Sequence, residues 1–166
     1  MTPIEAVPLF ESTTTWFYEK ATFDFPGILT IRMVGGARNG KRSSIEVDGN
    51  SIGPYDEVSP LPHSPVVDVR FSDVWIYDIA REGHECAPEG ERIRFSDYLQ
   101  ELPEATFDHL LANPLTQTDF EYFGLRRWFL WTEDFVIYVI CKGEPDISSA
   151  DGAPNLQLDR GTTYFA

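Results

Sequence analysis

The sequence predicts an α+β fold: a mainly antiparallel β-sheet of about five or six strands, with two short helices at about 96–112 packed on one face. Three observations carry this. Phe135-Val136-Ile137-Tyr138-Val139-Ile140-Cys141 is a run of seven apolar residues, rich in β-branched and aromatic types and bracketed by Glu133-Asp134 and Lys142-Gly143. That length is short for a helix and normal for a strand, so the run reads as a central strand buried on both faces. Residues 66–81 alternate: Val67, Val69, Phe71, Trp75, Tyr77 and Ile79 share one parity, and Asp68, Arg70, Ser72 and Asp78 the other. This is the pattern of a strand with one face in the core. Finally, strand signals cluster at both ends of the chain with helix signals between them, which argues against alternating βαβ units.

Trp16-Phe17-Tyr18 and Phe23-Asp24-Phe25 open an apolar region that continues through Ile28–Val34, interrupted at Pro26-Gly27, and reads as a strand or bulged strand pair. Gly35 to Ser44 reads as a Gly-rich basic loop centred on Asn39-Gly40, followed by Ile45-Glu46-Val47 and a further turn at Asp48-Gly49-Asn50. Pro54, Pro60, Pro62 and Pro65 are too many for a helix or an inner strand, so 53–65 is expected to be a surface loop. Within 66–81, Asp73 breaks the apolar parity and the length exceeds the usual strand of roughly 5–6 residues, so a bend or bulge is expected near Ser72-Asp73.

Glu82 to Glu91 reads as loop. Ser96 can cap a short helix over 97–101 that stops before Pro103, and Phe107, Leu110 and Leu111 mark a second helix from about 103 to 112. Leu125–Trp131 pairs with the central strand through Thr132-Glu133-Asp134, a loop without the glycine of the strongest hairpin signals. Residues 144–166 are polar and read as a docked or partly mobile tail. One domain spanning 1–166 is expected, since no linker is followed by a second core.

Gly35-Gly36-Ala37-Arg38-Asn39-Gly40-Lys41 matches most of the phosphate-loop pattern, but Arg42 replaces the Ser/Thr and the next seven residues alternate like a strand where a helix is required. It reads as a basic hairpin turn, and no cofactor is expected. His84-Glu85-Cys86, with His63 and His109 elsewhere, supplies one close pair of candidate metal ligands, whereas zinc needs three or four in fixed geometry; no metal site is expected. A nucleophile pair from Cys86 and a distant His has no local oxyanion elbow to support it. Asp68 and Asp78 share the outward parity, while Asp73 is either freed by a bend or buried against Arg126 or Arg127. No motif therefore assigns a catalytic residue.

Thirteen Lys/Arg face twenty-seven Asp/Glu, giving a net charge of −14. Residues 1–42 hold five cations against four acids, so the acidity belongs to the rest of the chain. Such a field works against binding DNA, RNA or anionic membranes and steers cationic partners inward. With no basic start, no apolar leader and no long apolar run, the chain reads as soluble, cytoplasmic and unanchored, and two cysteines in unrelated settings suit a reducing compartment. These features point to an acidic protein-binding module, in the manner of an immunity protein or antitoxin that neutralises a basic protein partner. The alternatives are a self-associating subunit or small-ligand binder with an aromatic cleft, and an enzyme with a dispersed Asp/His/Cys site. The expected contact residues are Glu82, Glu85, Glu89, Glu91, Asp97, Glu101 and Glu104, with Trp16, Tyr18, Tyr122 and Trp128 as candidate aromatic contacts.

Overall fold

Leu29, Ile31 and Met33 alternate with Thr30 and Arg32, and this pattern places one face of a long strand in the core. The strand is β2 (Ile28–Val47), whose first half pairs with β1 (Trp16–Asp24) on one side and β4 (Val66–Phe71) on the other. Its second half pairs only with β3 (Asn50–Pro60), and β10 (Asp146–Ser149) adds to the outer side of β4. A second sheet runs β5 (Val74–Arg81), β9 (Phe135–Lys142), β8 (Leu125–Trp131), β7 (Leu99–Glu101), β6 (Ile93–Arg94). All pairs in both sheets are antiparallel. This computed structural model describes residues 1–81, 93–102 and 117–150.

The two sheets share one core. Leu29, Ile31, Met33, Val67, Val69 and Phe71 of the first meet Leu99, Trp128, Leu130, Ile137, Val139 and Cys141 of the second. The helix α1 (Val7–Phe10) packs into this core through Phe10, whose carbonyl accepts the Trp16 Nε1–H at 2.9 Å. The opposite parity of β8 and β9 forms a second cluster, Leu125, Phe129, Val136, Tyr138 and Ile140, covered by Phe120 of the helix α2 (Gln117–Phe123). Strand β9 is thus buried on both faces, as its unbroken apolar run requires.

These observations correct the expected fold class. The protein is predominantly β, with two packed sheets where one was expected, and with two short helices of four and seven residues among the described residues. The helix expected over 97–101 is a tight turn followed by β7. Ser96 Oγ accepts the N–H groups of Tyr98 and Leu99 at 3.1 and 3.0 Å, the bonds an N-cap would make, but Leu99–Glu101 then pairs with Leu130–Trp128 of β8. A serine turn and a helix cap look alike in sequence, and here the tertiary ladder decides. The helix expected over 103–112 lies outside the described residues. Residues 53–65 also differ from the expected loop: their first part is the edge strand β3, a place that tolerates proline because every other N–H of an edge strand faces away from its neighbour. Of the expected tail, β10 is docked on β4 with Ile147 fully buried, and 151–166 lies outside the described residues.

The bend at Ser72-Asp73 is present and does more than kink a strand. Asp73 adopts φ of 50° and is exposed, and the chain passes there from the first sheet into the second. It returns after β9, with Gly143 at φ of 78°. The two crossings touch, Lys142 N donating to Asp73 O at 3.3 Å.

Candidate functional site

Gly35-Gly36 lies where β2 exchanges its first partners for β3. Gly35 N donates to Pro65 O at 2.8 Å and Gly36 N to Thr15 O at 2.7 Å. A Cβ on Gly35 would sit 2.7 Å from Pro65 Cγ, and one on Gly36 2.7 Å from Val58 Cγ1 and 2.8 Å from Phe17 Cε2. Close packing therefore explains these glycines, and the segment is strand where a phosphate loop would need a turn into a helix. Asn39-Gly40, expected to be the turn, falls in an irregular stretch of the β2–β3 ladder between the pairs Arg38↔Val58 and Arg42↔Asp56. The hairpin turn is Asp48-Gly49, with φ of 51° and 78°, both in the left-handed region that a two-residue hairpin turn uses.

Of the expected acidic contacts, Glu82, Glu85, Glu89, Glu91 and Glu104 lie outside the described residues. Asp97 is exposed, 3.9 Å from Arg94, beside a cleft of about 280 Å³ lined by Tyr98, Gln100 and Trp131. Glu101 is buried: Arg126 Nε and Nη2 donate to its two carboxylate oxygens, and Arg126 Nη1 reaches Glu144 at 2.8 Å. The Arg126 guanidinium also lies 5.0 Å from the centre of the Trp128 ring, and its bonds to Glu101 raise its pKa further. Glu101 thus closes the core margin and presents no free carboxylate to a partner.

The expected aromatic contacts divide likewise. Trp16 and Trp128 are fully buried, their indole N–H groups donating to Phe10 O and Gly143 O. Tyr18 is half-buried against Phe135, and burial raises the pKa of its hydroxyl. Tyr122 is 81% exposed. It belongs to a group that sequence parity did not identify.

That group flanks β5, the edge strand of the second sheet. On the side towards the first sheet, Phe23 stacks on Tyr77 at 5.6 Å between ring centres, and Phe25, 97% exposed, follows β1 in the turn to β2. On the other side Trp75 packs at 4.8 Å from Phe123, which meets Tyr122 edge-on at 4.9 Å. Trp75 faces outward because the β5–β9 register shifts between Val74 and Ile76, so the parity that buries Val67, Val69 and Phe71 is broken. The signal missed was this second irregularity, two residues beyond the predicted bend. The two groups lie on opposite faces of the sheet: at ~200 Å² per side chain, Phe23 and Tyr77 present roughly 200 Å² to solvent, and Trp75, Tyr122 and Phe123 roughly 300 Å². Neither exceeds the ~300–600 Å² of a monomer's largest apolar patch, but together they line both faces of one edge strand. Asp24, Asp73 and Asp78 lie along the same margin, with Arg81 and Lys142 as its cations.

The remaining chemistry is sparse. Among the described residues no group of three or more His, Cys, Asp or Glu could hold a metal ion. Asp68 is held by Arg32 in a two-bond ion pair at 2.7 and 2.8 Å in the first sheet, while Asp78 stands in the second, so these two acids form no catalytic pair. In a cleft of about 230 Å³, Arg126 bonds Glu101 and the Arg127 guanidinium lies 3.3 Å from the centre of the Phe120 ring. No helix among the described residues is long and apolar enough to cross a membrane. Compared with protein-family models, curated proteins and solved structures, the chain matches none of them.

Proposed function

We propose that this protein is a non-catalytic binding module that holds a cationic protein partner against the aromatic margin of β5. The observation that carries the reading is that exposed aromatic side chains flank β5 on both faces of its sheet, Phe23 with Tyr77 on one and Trp75, Phe123 and Tyr122 on the other, on a chain of net charge −14. Aromatic side chains supply most of the energy of protein interfaces, and the acidic field around them raises the encounter rate with a basic surface. Neutralisation of a basic effector in the cytoplasm, as immunity proteins and antitoxins achieve, is the biological form this reading takes. The test is retention of a partner from a lysate of the source cells on immobilised wild-type protein and on the Trp75→Ala, Tyr122→Ala double variant. Both rings are exposed, so the variant keeps its fold; the expected result is a basic protein retained at low salt, released at high salt and absent from the variant. Equal retention by both proteins overturns the assignment of this margin.

One observation favours a second reading, self-association. Beyond Gly36 the β2–β3 hairpin extends as a two-stranded ribbon away from its neighbours. The pair Ile45↔Ile52 sets Ile45, Val47 and Ile52 on one face of it, each 44–53% exposed.

A further inference from the structure

Among the described residues the sheets have edges at β1, β3, β10, β5 and β6 and along the second half of β2, which pairs only with β3. Exposed edges invite pairing with other chains, and proteins blunt them with bulges, charge, proline or brevity. Each is blunted to some degree, the second half of β2 by register shifts between Arg38 and Arg42 and between Ser43 and Ile45. Strand β1 has a register shift between Tyr18 and Lys20 and a lysine at that point. Strand β3 carries Pro54 and Pro60, and β10 and β6 are four and two residues long. Strand β5 has a register shift of its own, between Val74 and Ile76, and carries Asp78 and Arg81, but it has no proline and its last six residues, Ile76–Arg81, keep an unbroken ladder to β9. Among the described residues, no backbone hydrogen bond reaches Ile76–Arg81 except those of that ladder.

We propose that β5 is a docking edge: an extended basic segment of the partner adds to it as a sixth strand, antiparallel or parallel, of the second sheet. The inference rests on the reading of the aromatic margin and specifies how that margin is used. A strand laid beside Ile76–Arg81 puts alternate side chains on opposite faces of the sheet. One set meets Tyr77, stacked on Phe23, and takes apolar residues. The other meets Asp78 and the outward Trp75 ring, and takes Lys or Arg through a carboxylate and a π face. A second copy of this chain fits worse. Antiparallel pairing of β5 with itself would bring two Asp78 side chains close to the symmetry axis between two bodies of charge −14.

The experiment uses the full chain and an acetylated synthetic peptide alternating Lys and Val, with titration followed by tryptophan fluorescence and by calorimetry. Two further peptides carry backbone N-methyl groups, one on every Lys and one on every Val. In strand addition only one alternate set of N–H groups faces the sheet edge. Saturable binding is therefore expected for the parent peptide, a loss of roughly tenfold or more for one methylated set, and near-parent affinity for the other. A peptide alternating Glu and Val is expected not to bind. Absence of saturable binding by the Lys/Val peptide overturns the proposal, as does equal behaviour of the two methylated peptides. If the peptide fails while the aromatic double variant still loses the native partner, strand addition falls and the protein-binding reading stands. If that variant retains the partner, the reading of the margin falls as well.

Discussion

At the scale of single residues, burial decides chemistry. Cys141 is fully buried between the sheets, and desolvation of its thiolate pushes the pKa from the ordinary 9.0 up to about 12. The thiolate is the reactive species, so in a Cys86→Ser variant the remaining thiol is expected to resist iodoacetamide at pH 8 until denaturant unfolds the protein. Rapid labelling of the native variant would contradict this. The same shift has a sign in stability. The unfolded thiol ionises first, so its contribution is complete below about pH 9 and is lost as pH rises towards about 12. Wild type should thus lose more stability than Cys141→Ala between these limits, as read by denaturant melts across pH. Ile137 is a further such residue, at zero exposure and paired with Leu130 and Ile79. Ile137→Asp should cost more than ~4 kcal/mol by burying an unpaired charge; a change below ~1 kcal/mol in the same melts would remove β9 from the centre of the core. This centrality was legible because an unbroken β-branched and aromatic run of strand length has few other uses. The exposure of Trp75 was not, because a local register shift leaves no mark in composition.

At the scale of elements, local signals succeeded where local bonds decide. The 132–134 loop holds its hairpin without glycine because Thr132 Oγ1 accepts the Phe135 N–H at 3.0 Å while Thr132 N donates to Phe135 O at 2.8 Å. Local signals failed where a distant strand decides, as at Leu99–Glu101, and where a glycine serves packing instead of turning, as at Gly35-Gly36. The last point has a consequence for substitutions. Gly36→Ala places a methyl against Val58 and Phe17 and should destabilise by about 1–3 kcal/mol, the usual cost of overpacking. Lys41→Ala, on the exposed ribbon, should stay within about 0.5 kcal/mol. Millimolar ATP with magnesium should raise the melting temperature of neither protein, since ligand bound to the native state stabilises it by mass action. A saturable shift lost in Lys41→Ala would reinstate the phosphate-loop reading. The ribbon itself is open to a parallel test. If its apolar face joins two chains, Ile45→Asp with Ile52→Asp should convert a concentration-dependent dimer to monomer in sedimentation, with the melting temperature of the monomer little changed.

At the scale of the whole molecule, two features act together: a net charge of −14 and aromatic side chains on both faces of an edge strand with a six-residue unbroken ladder. The first was legible in a residue count. The second was not, because it is assembled from residues 23–25, 75–77 and 122–123, which only the crossing at Asp73 and the placement of α2 bring to one strand. The two features make different kinetic predictions. Complementary charge raises the association rate and its sensitivity to salt, whereas desolvated aromatic anchors govern dissociation. With a captured partner in a surface-binding assay, Asp73→Lys with Asp97→Lys changes exposed charge outside the aromatic group. It should slow association and flatten its dependence on salt while leaving dissociation nearly unchanged. Trp75→Ala should do the reverse, speeding dissociation by roughly tenfold or more, the effect of removing an interface hot spot, at a nearly constant association rate. If both variants altered only association, the rings would be ordinary solvated aromatics, and the acidic field alone would carry the binding.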